Sequence, residues 1–162
     1  MKYQNLAFVT FLSYIVIQMR IENILYNKKI IAMIISKSSL SKKKYFFPTL
    51  KYFPLQVGFM NHKKGFNINP HHHYRNVRKI KNISEVLLIK KGILRVDFYG
   101  KINKYLFSKL VRKNDILILI SSGHGFKVIK DCSIIEIKQG PYIPSKDKML
   151  FLKTEESSII FK

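Results

Sequence analysis

The sequence has one cysteine, no tryptophan and only nine acidic residues among 162. With Cys132 alone, no intramolecular disulfide can form, and a reducing compartment fits. Cys132 lies in the apolar run Cys132-Ser133-Ile134-Ile135, which reads as a buried structural thiol rather than a nucleophile. Proline and glycine are modest, so no long stretch reads as disordered. Long apolar runs are missing too. Leu6 to Met19 falls short of the roughly 20 residues a spanning helix needs. No small-x-small cleavage site follows it clearly. Residues 1–18 therefore read as a short apolar N-terminal extension, either a helix or frayed tail or a stretch upstream of a start at Met19. A signal or anchor is the less favoured alternative.

What the chain has in excess is lysine. Thirty basic residues give a formal charge of +21. Such a surplus points first to nucleic acid or an anionic membrane. Yet only five of the thirty are arginine (Arg20, Arg75, Arg78, Arg95, Arg112), and bidentate contacts to phosphates and bases draw on arginine. The lysine excess also accompanies an excess of Ile, Asn, Phe and Tyr, as an AT-biased coding sequence would produce. Most of it reads as solvated surface. Nucleic acid and membrane are thus the disfavoured partners, and the cytoplasm is the expected location. An acidic small-molecule ligand fits the charge equally well.

Length suits one domain over residues 19–162, with a core at about 55–142. Between Leu55 and Gln139 no long helical period appears. Turn signals recur about every 8–12 residues, the pattern of an all-β sandwich or barrel. Strands are expected at Ile30–Ser36, Leu55–Asn61, Glu85–Ile89, Ile93–Tyr99, Lys104–Val111, Ile116–Ile120, Phe126–Ile129 and Cys132–Lys138. Tyr45–Phe53, with Pro48 inside it, reads as an edge strand or connector. Ser38–Lys44 and the polar, basic Tyr74–Ile83 read as loops. The tail Met149–Lys162 is either a last strand or a short helix.

One constellation carries chemistry. On a strand, positions i and i+2 share a face, so His71 and His73 point together and His72 points away. A neighbouring strand carrying Glu85 brings a carboxylate beside them, and a hairpin end carrying His124 supplies a third imidazole. Three imidazoles and one carboxylate suit a divalent transition metal (iron, manganese, nickel, zinc or copper) and leave positions open for water or substrate. His62 reads as a surface residue.

The spacing Gly65-x5-His71-x-His73-x11-Glu85-x6-Gly92 resembles the first motif of the cupin superfamily. Asn114-Asp115 followed by Ser122-Gly123-His124 resembles the second. Leu55 to Tyr142 also resembles a subgroup of small bacterial cupins with a Gly-His-Gly-Phe turn and a Lys-Gln-Gly-Pro-Tyr segment, matched here at His124 to Phe126 and Lys138 to Tyr142. The interval between His73 and Glu85 is longer than in the motif, so Tyr74–Ile83 is an inserted loop beside the site. The resemblance implies a cupin double-stranded β-helix, a jelly-roll barrel, with His71, His73, Glu85 and His124 as the metal ligands.

Cupins span dioxygenases, isomerases, epimerases, decarboxylases and binding modules, and the fold does not choose among them. The leading expectation is a metal-dependent enzyme, an isomerase or dioxygenase among the candidates, acting on a small polar anion or carbohydrate-related molecule. Arg78, and less so Arg75, is placed to clamp an anion. Gln139 and Tyr142 are candidate pocket residues. Arg95 and Asp97 either pair across the sheet or point into the barrel. The alternatives are a non-catalytic metal- or ligand-binding module, and a basic nucleic-acid or membrane-surface protein that uses the basic-aromatic stretch Ser41–Phe53. A homodimer is expected, because an edge strand of such a barrel needs cover.

Overall fold

The computed structural model describes residues 20–36 and 43–162. The whole N-terminal extension, residues 1–18, and most of the Ser38–Lys44 loop lie outside the described residues. Among the described residues, no helix is long and apolar enough to cross a membrane.

The chain is all-β, and its main sheet is antiparallel. Strands β1 (Ile21–Tyr26) and β2 (Lys29–Ile35) form a hairpin. Its two turn residues, Asn27 and Lys28, both have positive φ, the conformation that matches a tight turn to strand twist. No strand was expected at β1, whose half-exposed IENILY lacks a strong pattern. β2 reads KIIAMII and is buried on both faces, because Ala32 and Ile34 enter one apolar cluster and Met33 and Ile35 the other. Strands β3 (Tyr45–Phe46) and β4 (Phe59–Met60) make a separate two-stranded sheet. The strand expected over Leu55–Asn61 is thus reduced to two residues.

The centre of the fold is β5 (Glu85–Tyr99), fifteen residues long. One edge pairs with β6 (Tyr105–Arg112) and then β7 (Ile116–Leu119), and the other pairs with β8 (Gly123–Lys138) along its whole length. β5 and β8 were each expected as two shorter strands. Instead they continue through a bulged stretch, with three register shifts between Ile89 and Leu94. Bulges bend a strand without ending it. Gly92 sits in this bend with φ +90, and a Cβ there would lie 2.1 Å from the Asp131 carbonyl oxygen. β6 and β7 follow the bend through Lys113 and Asn114 (φ 70), where Ile89 N donates to Asp115 O at 3.1 Å.

The bend folds the sheet over an apolar core of Leu87, Leu94, Val96, Phe98, Val111 and Leu117, closed by Ile24 and Ile34. A second cluster, Met33, Ile35, Val86 and Ile118, is covered by Phe53, Leu55 and Val57. Each such side chain contributes about 1.5–3 kcal/mol by leaving water. The expected barrel does not close. The described strands form one bent six-stranded sheet and the small β3–β4 pair.

Candidate functional site

Glu85 opens β5 and His124 stands near the start of β8, opposite Phe98. Along a straight ribbon the thirteen steps from residue 85 to 98 would span about 43 Å. The bend removes that separation. Glu85 Oε2 and His124 Nε2 lie 3.3 Å apart, both side chains largely buried.

The other ring nitrogen fixes the charge. His124 Nδ1 lies 3.2 Å from the Ser122 carbonyl, which only accepts, so Nδ1 donates. Nε2 faces a carboxylate, so the ring is best satisfied as the cation. Burial pushes the His124 pKa down, but the Glu85 hydrogen bond and charge and the Ser122 carbonyl outweigh it, and the net shift is upward. The Glu85 pKa moves down, first through the His124 hydrogen bond, against burial, and then through the charges of His124, Lys138 and Lys148.

The pair sits in an open cavity of about 580 Å³. Lys81, Lys146, Lys148 and Lys153 line it, against the carboxylates of Glu85 and Asp147. Ser122 is also in the wall. Its hydroxyl is buried and has no hydrogen-bond partner among the described residues. A buried hydroxyl of this kind is open to a water or to a ligand oxygen.

Three of the four lysines come from the C-terminal segment, which is neither the strand nor the sole short helix expected. One helical turn (Pro144–Asp147) and a 3-10 turn (Glu156–Ser158) interrupt otherwise irregular chain. Long-range contacts hold it. Phe151 packs edge-on against Tyr99 at 5.0 Å, and Thr154 N donates to the Tyr99 hydroxyl. Arg95 Nη1 donates to Glu156 at 2.7 Å while Arg95 Nε donates to Asp97 at 2.8 Å. Ser108 donates to Asp97 and exchanges backbone bonds with Ile160 and Lys162. Arg95 and Asp97 therefore pair with each other on one strand and anchor the tail. Arg95 holds Glu156 well below the usual carboxylate range, at about 2, with Lys127 adding to the effect.

The expected ligands separate into two pairs. Residues 61–84 form no strand, so the shared-face geometry assumed for His71 and His73 does not apply. Pro70 and the lack of alternation leave this segment without strand pairing. Both histidines are exposed, with rings 5.3 Å apart, and His71 Nδ1 donates to Asn69 O. Among the described residues, no group of three or more His, Cys, Asp or Glu stands together. Glu85 and His124 alone are two donors, short of the three or more protein ligands typical of a transition-metal site. The residues as arranged do not fit the metal.

Other candidates fall elsewhere. Arg75 and Arg78 are exposed on the 61–84 segment and do not line the cavity. Gln139 Oε1 accepts from Ser84 N at 2.8 Å, which ties off the end of the β5–β8 ribbon where Glu85 pairs with Lys138. Tyr142 lies under Lys138 Nζ at 4.7 Å. His62 is exposed and stacks on Phe66. Cys132 is half-buried, and Sγ donates to Lys130 O. The lysine ring escaped sequence reading, although Lys146, Lys148 and Lys153 recur within eight residues.

No family model, no curated protein and no solved structure matches this chain.

Proposed function

We propose that this chain binds a small anionic molecule in the cavity over Glu85 and His124. The supporting observation is the convergence there of four lysines, the carboxylate-paired His124 and a buried hydroxyl without a partner among the described residues. Ammonium groups at a cavity mouth attract a carboxylate or phosphate, and the partly apolar wall of Tyr99 and Phe151 strengthens each charge pair inside. Both His124 N–H groups are engaged, Nδ1–H by the Ser122 carbonyl and Nε2–H by Glu85, so the lysines and the Ser122 hydroxyl are the donors open to the anion. Membership of the cupin superfamily belongs to the same proposal. It is supported by an antiparallel sheet bent on itself and by the meeting of one residue from each motif, Glu85 and His124.

Calorimetry on the full chain with a sugar phosphate, a dicarboxylate and an uncharged sugar tests this. Binding of an anion and not of the neutral sugar, weakened several-fold in K146A/K148A, is expected. Equal affinity in that double variant contradicts it.

A metal-dependent enzyme is the second proposal, favoured by the ring contact of His71 with His73 beside the motif spacing. It requires residues 61–84 to carry both rings to Glu85. Metal content of protein purified without a histidine tag, compared with His71→Ala and Glu85→Ala, decides it. Equally low metal in all three removes this reading and leaves the anion site standing.

A further inference from the structure

β8 is sixteen residues long, and among the described residues it pairs only with β5. At about 3.3 Å per residue its other edge offers roughly 50 Å of backbone donors and acceptors. Phe126, Val128, Ile129, Ile134, Ile135 and Ile137 on this strand are 37–57% exposed. Monomeric proteins protect such edges with charge, proline or cover. β8 has no proline and alternates apolar residues on both faces.

We propose that this edge pairs with the same strand of a second copy, making a two-fold dimer through β8. Charge selects the occupant. The chain carries +21 overall, so two copies repel on most approaches. β8 is an exception: Lys127, Lys130 and Lys138 are nearly offset by Asp131 and Glu136. An acidic partner would choose the lysine-rich surfaces instead. A nearly neutral apolar edge suits a copy of itself.

Symmetry narrows the register. We take the free edge of β8 as continuous past the stretch Val128–Ser133, where it bulges against β5; a closed two-fold pair then keeps each sheet face on one side, so opposed residues share parity and their numbers have a constant sum. Centring on Lys130 sets that lysine against itself, and centring on Asp131 does the same to the carboxylate. Centring on Cys132 opposes Phe126 to the partner's Lys138 and Val128 to the partner's Glu136. Centring on Ser133 opposes Lys130 to the partner's Glu136, Ile129 to the partner's Ile137 and Cys132 to the partner's Ile134. Of these four registers the last alone matches both charge and apolarity, and it sets the bends of the two strands close together. A stable interface takes about 800 Å² from each partner. Val128, Ile129, Ile134, Ile135 and Ile137 with the strand edge form the centre of such a patch.

Sedimentation equilibrium of the full chain should give twice 19.1 kDa. K130E should weaken the dimer several-fold, although it lowers the net charge, because it opposes two carboxylates in each symmetry-related pair. The swap K130E/E136K should restore it, and I129K, at an exposed site, should dissociate it. In this register the two Cys132 lie diagonally, about 7–8 Å apart between Cα atoms. A short bis-maleimide should therefore trap a covalent dimer through the only cysteine. A monomer at every concentration overturns the proposal. So does a dimer indifferent to K130E and I129K, or one that Cys132 does not cross-link.

Discussion

Glu85 Oε2 and His124 Nε2 meet at 3.3 Å although they belong to opposite ends of one two-stranded ribbon. The contact exists because β5 and β8 bend together at Ile89–Leu94. The site is therefore a property of the bend.

Gly92 is the residue on which the bend depends most. A side chain there faces positive φ and the Asp131 and Lys130 carbonyl oxygens. Gly92→Ala should cost at least about 2 kcal/mol in urea denaturation. In the protein that remains folded, NMR titration should show the His124 pKa moving back toward its ordinary value.

The Glu85–His124 pair sets a pH window. The His124 pKa is raised, so its contribution to stability is full below the unfolded value of 6.5 and disappears as pH rises through the folded one. The Glu85 pKa is lowered, so its contribution is full above 4.5 and is lost as pH falls. The pair should support the fold most between about pH 4.5 and 6.5. Glu85→Gln should lower the His124 pKa and flatten the thermal-stability profile on the alkaline side of that window.

The tail anchor makes a separate claim. Asp97 and Arg95 are buried, and Arg95 also holds Glu156. Asp97→Ala removes one partner of a buried cation and should cost about 3–5 kcal/mol. Glu156→Gln should cost less in stability but loosen the segment carrying Lys146, Lys148 and Lys153, which amide hydrogen exchange at Lys148–Thr154 would report. The carboxylate of Glu156 titrates at about 2, so its support begins to fall below pH 4.5 and is lost through about pH 2.

Much of the fold was legible where the pattern is local. β2, β6 and β7 follow from apolar runs and turn residues. β5 and β8 each looked like two strands, because Lys90-Lys91-Gly92 and Lys130-Asp131 resemble turns. A bulge uses the same polar residues and glycine as a turn, and only the paired strand tells them apart. The place of the tail rests on Arg95–Glu156, a pair 61 positions apart that no periodicity reveals. Glu85 and His124 were legible through spacing as candidate site residues, and the structure brings these two together. The lysines around them were not, since a lysine near a cavity and one in solvent look alike in a chain of this charge. The motif placed His71 and His73 on a strand that the chain around Pro70 does not form.

Anion binding over Glu85 and His124 can be followed by titrating the isotope-labelled full chain with a sugar phosphate and recording its amide and histidine NMR signals. Saturable shifts are expected at Ser121–Gly125, at Lys146–Phe151 and in the His124 ring, lost in K146A/K148A and kept in Arg78→Ala. Shifts confined to residues 61–84, or no shift at His124 at saturation, would contradict it.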